Sequence, residues 1–160
     1  MLQRIQTVFL SLVVLLMLLM LIFPIWTYQS EDMTITYMLS AFYLETDGGA
    51  ADALTKVYFP YMFVASLAIA AATIGVIEIA KFKNRLLQMK LGALNSLLMA
   101  GSMGLGLYFA GEIMDEKQLT AGWTYGPGVF LPAAAMICNV IANRFIRKDE
   151  RLVRSVDRIR

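Results

Sequence analysis

Few side chains in this chain are equipped for chemistry. It has no histidine and one cysteine, Cys138. That removes the usual general base near neutral pH and the commonest metal ligand. It also removes any intrachain disulfide or cysteine zinc site. Nothing near Cys138 in sequence would lower its pKa, so it reads as a small buried apolar residue. Glu78 is the one acid well inside an apolar stretch. An ionisable group there is a functional hypothesis, a proton relay being the obvious case. A relay needs further titratable groups deeper in, and the apolar stretches hold none. Lys81 lies three residues on, on the same face of a helix, so an interfacial ion pair of Glu78 with Lys81, or with Arg85, is the preferred reading. Asn95, Asn139 and Asn143 are the other intramembrane polar candidates. They read as glue between helices, each bond worth about 1 kcal/mol, with Asn95 as a partner for the other two. The acids Glu31, Asp32, Glu45, Asp47 and Asp52 match no calcium-loop spacing and read as a solvated acidic segment. No nucleophile–base pair, zinc motif, phosphate loop or paired carboxylates within a span is present. The expectation is a protein that is not an enzyme and uses no cofactor, although carboxylates of the polar loops could still assemble in three dimensions.

These residues must be positioned by apolar elements. Of the 160 residues, 59% are hydrophobic and 16% charged, where a soluble domain carries about a quarter charged. The excess is gathered into blocks long enough to cross a hydrocarbon core. The expected fold is an all-α integral membrane protein: one domain forming a four-transmembrane-helix bundle, with spans at about 6–26, 58–80, 88–110 and 128–146 and a basic tail at 147–160. The first block competes with a signal peptide, but it is long for one and no small-x-small site follows. Trp26 and Tyr28 fit a headgroup belt. Pro60 fits a first helical turn, and Pro132 falls in or just inside the first turn of the last span. Ala65, Ala68, Ala72 and Gly75 make a smooth stripe for close helix approach, as do Ser102, Gly106 and Ala110, within the bundle or between copies.

Between the spans, residues 34–38 have strand character and residues 41–46 are a possible partner. Asp47-Gly48-Gly49 is a turn signal, and Gly126-Pro127-Gly128 another. Trp123 and Tyr125 flank the last span as interface anchors. Residues 34–37 and 123–125 would allow a joint β-structure of the two loops.

Charge alternates along the chain. Residues 27–56 carry five acids against one lysine, net −4; the connector 81–90 is +4; residues 111–126 are −2; residues 144–160 hold seven basic and three acidic side chains, net +4. Counting lysine and arginine, the positive-inside rule puts the connector, the tail and both termini in the cytoplasm and the two acidic loops outside.

The candidate contact residues follow from that side: Lys81, Lys83 and Arg85 in the connector, and Arg147, Lys148, Arg151, Arg154 and Arg158 in the tail. The tail reads as an amphipathic helix, with Leu152, Val153, Val156 and Ile159 opposite the arginines. Such a helix can lie on anionic lipid, dock a partner helix, or serve as a plain topology anchor. Asp149 and Glu150 could pair with Arg85 or Lys83. Nucleic acid is not an expected partner: residues 147–160 offer no aromatic to stack bases, and there is no recognised module.

Three stretches carry a family likeness: Met1-Leu2-Gln3-Arg4-Ile5-Gln6-Thr7, Phe82-Lys83-Asn84-Arg85-Leu86-Leu87-Gln88, and Ile146-Arg147-Lys148-Asp149-Glu150-Arg151-Leu152-Val153-Arg154-Ser155 with Asp157-Arg158-Ile159-Arg160. With them the chain resembles, over its whole length, the domain-of-unknown-function 4293 family of small membrane proteins from Bacteroidetes-type bacteria. The resemblance implies a four-helix inner-membrane protein. It implies no activity and no site residues.

The leading functional expectation is a non-enzymatic inner-membrane accessory or scaffold subunit. Its cytoplasmic basic face would contact membrane lipids or another membrane or cytoplasmic protein, with the oligomeric state left open. The alternative is a small transporter or channel using Glu78 and the asparagines. Glu78 facing its lysine would favour the first, and Glu78 facing a central cavity with the asparagines the second.

Overall fold

The computed structural model describes residues 2–30, 32, 34–48, 54–82 and 84–157, with residues 2–4 and 152–157 as backbone only. Four helices run in chain order: α1 Leu2–Met20, α2 Met62–Ala80, α3 Arg85–Glu116 and α4 Pro127–Asp157. Each packs on its neighbours in sequence, and α4 closes the square against α1. The spacing of apolar and small residues explains the packing. On α1, Gln6, Leu10, Val13, Met17 and Met20 are buried at intervals of four and three, one stripe of a helix. On α2 the predicted stripe of Ala65, Ala68, Ala72 and Gly75 is buried. Gly75 is pressed against α1: a Cβ there would lie 2.8 Å from Val14 Cγ2. Ser102, Gly106 and Ala110 are likewise buried, and Gly106 abuts Ile25 of the same chain.

The outer faces are also apolar. Leu97 is 70% exposed, Ile137 63% and Val8 65%. A helix apolar all round is one for which lipid is a compatible surrounding. By length and composition, Met62–Ala80, Arg85–Glu116 and Pro127–Arg151 could each cross a membrane, with mean hydropathies of 2.1, 1.4 and 1.7. The apolar helical part of α1, Ile5–Met20, is shorter.

The first apolar block, expected as one span to residue 26, is divided. Its helix tightens at Leu21 and Ile22, whose N–H groups bond the carbonyls three residues back, and Pro24 follows, a residue that cannot continue a helix. The block then turns into β1, Trp26–Gln29. Trp26 is therefore not a headgroup anchor; it is fully buried. With β2 Thr36–Leu39, β3 Leu44–Asp47, β4 Thr55–Val57 and β5 Trp123–Tyr125 it forms an antiparallel sheet in the order β4-β3-β2-β1-β5. The two acidic loops thus share one sheet: Trp26 pairs with Leu39 on one side and Tyr125 on the other.

The sheet is bonded into the bundle. The β2–β3 hairpin tip offers the Ala41 carbonyl to the Ala65 N–H at 3.0 Å, satisfying a donor of the first turn of α2. Pro60 lies before that helix rather than in its first turn. At α4, the Gly126 and Gly128 N–H groups donate to the Ile25 and Pro24 carbonyls, each at 2.9 Å. A Cβ on Gly128 would sit 2.6 Å from the Phe23 carbonyl oxygen, so this corner requires glycine. One end of the bundle carries the sheet and the other the α2–α3 connector.

Candidate functional sites at the connector end

The connector is short because both flanking helices are closed locally. The Lys81 N–H bonds the Ile77 carbonyl at 2.9 Å and terminates α2. Asn84 caps α3, its Oδ1 accepting from the Leu87 N–H at 3.1 Å, the usual role of Asn at that position. Arg85 opens α3 and forms an ion pair with Asp149 of α4. The two basic segments, far apart in sequence, are joined there. Arg147, Lys148 and Arg151 are exposed on α4, and Lys81 is exposed on the connector. Lys83 and Arg158 lie outside the described residues, as do the side chain of Arg154 and the apolar side chains 152–159. The backbone of α4 runs without a break from Pro127 to Asp157. The tail, as far as Asp157, therefore continues the last helix rather than starting a separate one.

The expected Glu78–Lys81 pair is not formed. Glu78 is fully buried, neither carboxylate oxygen has a hydrogen-bond partner, and Lys81 is exposed. The reason is local. Helix α2 ends at Ala80, and Lys81 sits at the cap with φ −90° and ψ 27°, so a spacing of three no longer stacks the two side chains. Asn95 faces Glu78 instead, without closing a hydrogen bond in good geometry. Its Nδ2 lies 3.7 Å from where a Cβ on Gly75 would sit, one turn before Glu78.

Glu78 belongs to a buried polar layer to which all four helices contribute. Gln6 Nε2 of α1 donates to Gln88 Oε1 of α3 at 3.0 Å. Gln88 Nε2 donates to the Glu78 backbone carbonyl at 3.0 Å, one of the acceptors that the end of α2 leaves unpaired. Asn139 Nδ2 of α4 donates to the Gly92 carbonyl at 2.7 Å and to Ser96 Oγ at 2.8 Å. Asn139 therefore does glue helices, but through Gly92 and Ser96 rather than Asn95. Asn143 lies over Gly92, where any Cβ would collide with its amide.

Gln6 and Gln88, 3% and 1% exposed, are not marked as core residues by their local sequence, one beside a charged start and the other inside a basic connector. The available signal was an uncharged amide at the helical spacing of the apolar stripe. Chemically, the layer can hold helices in register and can present one carboxylate and one amide to each other. Among the described residues, no three His, Cys, Asp or Glu side chains group to hold a metal ion.

An apolar-faced four-helix bundle, closed at one end by a small sheet and laced at the other by buried amides, defines a helical protein of membrane-compatible type. The chain belongs to the family described as Domain of unknown function (DUF4293), which matches residues 2–159. No curated protein matches it.

Proposed function

We propose that this chain is a non-enzymatic accessory or scaffold protein of the bacterial inner membrane. Its four helices span the bilayer, both termini lie in the cytoplasm, and its basic connector end contacts a partner protein or anionic lipid. The ion pair between Arg85 and Asp149 carries this reading. It draws the connector and the extension of α4 into one basic end, while the acidic loops gather at the other. That polarity is the one the positive-inside rule favours. At 19 residues, α1 is about 28 Å long, close to the thickness of a hydrocarbon core.

Orientation is tested with Lys81→Cys and Lys148→Cys, each in a Cys138→Ser background, labelled in sealed cells with an impermeant thiol reagent. Protection from outside is expected, and outside labelling would overturn the orientation. Contact is tested by purification in mild detergent. The wild type should retain a protein or anionic lipid that Lys81→Gln/Lys148→Gln/Arg151→Gln loses; recovery of a strictly lone wild type overturns the scaffold reading.

A second reading, transport, has one observation behind it: the buried Glu78 carboxylate faces Asn95 instead of a lysine. Ion flux in proteoliposomes that disappears in Glu78→Gln would favour it, and flux indistinguishable from empty vesicles would remove it.

A further inference from the structure

On the outer side of the buried polar layer, a cleft of about 340 Å³ opens between α3 and α4. Ala93 and Ser96 line it from α3, and Val140, Asn143, Arg144 and Arg147 from α4. On α4, Val140 and Arg144, and Asn143 and Arg147, are four residues apart, and the two pairs are offset by three, which keeps all of them on one helix face. The two arginines are exposed, and no acidic side chain is among the lining residues. Nearby Asp149 is engaged with Arg85.

The floor continues as an apolar track. Leu97 follows Ala93 by one turn on α3, and Ile137 precedes Val140 by one turn on α4; both are well exposed and both lead toward the sheet end. A polar cationic mouth that opens onto an apolar track matches a molecule with an anionic head and hydrocarbon chains. Guanidinium groups suit phosphate oxygens because several N–H donors can engage them at once.

We propose that this cleft holds the headgroup of one anionic phosphoglyceride from the leaflet at the connector end, with Arg144 and Arg147 on the phosphate and the acyl chains along Leu97 and Ile137. This rests on the membrane-embedded reading above, and it adds a specific lipid site between α3 and α4 to the contacts made by the exposed basic end.

The test uses the full chain in mild detergent, followed by native mass spectrometry with added phosphatidylglycerol or phosphatidylcholine of the same acyl composition. One retained phosphatidylglycerol is expected, with phosphatidylcholine held at least about tenfold more weakly. Arg144→Gln should weaken phosphatidylglycerol about fivefold, the effect of one basic charge near a headgroup. Ala93→Phe, which fills the cleft without removing a charge or a hydrogen bond, should abolish retention. Both side chains are exposed, so melting temperatures should match the wild type. Equal retention of the two lipids overturns the proposal, as does undiminished phosphatidylglycerol in both cleft variants. Binding lost in Lys148→Gln/Arg151→Gln but kept in the cleft variants also overturns the cleft, while leaving the basic-end reading standing.

Discussion

Arg85, the first residue of α3, is ion-paired with Asp149 in the distal part of α4. The Arg85 side chain is 23% exposed and that of Asp149 19%, so the pair is neither solvated nor fully dry. It fixes the connector to the last helix at the point where the bundle would otherwise fray. Pairing of Asp149 with Arg85 is one of the options the charge pattern allows; burial between two helices selects it.

Breaking that pair should cost stability between the exposed and buried limits, about 1–2 kcal/mol. Arg85→Gln and Asp149→Asn should each lower the detergent-solubilised melting temperature, and the double variant should lose less than the two together. Strict additivity in that double-mutant cycle would show that the pair contributes nothing.

Gln88 holds α1 and α2 at once, through Gln6 and through the Glu78 carbonyl. Gln88→Ala leaves two buried groups without partners, so a loss of about 1–3 kcal/mol per orphaned group is expected. Ser66→Ala is the control. Its exposed hydroxyl bonds the Phe63 carbonyl of its own helix, so its melting curve should overlay the wild type.

The two tryptophans separate a buried role from a peripheral one. Trp26 is fully buried and Trp123 is 38% exposed. Trp26→Ala should cost about 3–5 kcal/mol, while Trp123→Ala should have a much smaller effect. Similar melting temperatures for the two variants would restore the headgroup-belt reading of Trp26.

Glycines differ by what a side chain would meet. Gly128→Ala drives a methyl into the Phe23 and Pro24 carbonyls, whereas nothing lies within 4 Å of a Cβ on Gly104 or Gly111. Gly128→Ala should abolish recovery of monodisperse protein. Gly104→Ala and Gly111→Ala should be neutral or stabilising by up to about 1 kcal/mol, the helical preference for alanine. Equal recovery of all three would mean that the α1–β1–α4 corner is not packed as described.

The apolar blocks by themselves determined that four helices exist and which faces carry small residues, because a helical period of burial is written locally in residue spacing. The alternating charge also marked one end as basic. The paired loops were only partly legible: β2 and β3 have strand composition, but β1 is hidden in the tail of an apolar run and β4 in a polar segment. A short apolar stretch does not reveal whether it continues a helix or leaves it for a sheet. The tertiary structure alone decided that Trp26 is buried, that Gln6 meets Gln88 across 82 positions, and that Glu78 turns to Asn95 rather than Lys81. Each of those outcomes depends on where a helix stops and which neighbour fills the space beside it. Periodicity records neither, because a cap or an interhelical hydrogen bond is settled by groups remote in the chain.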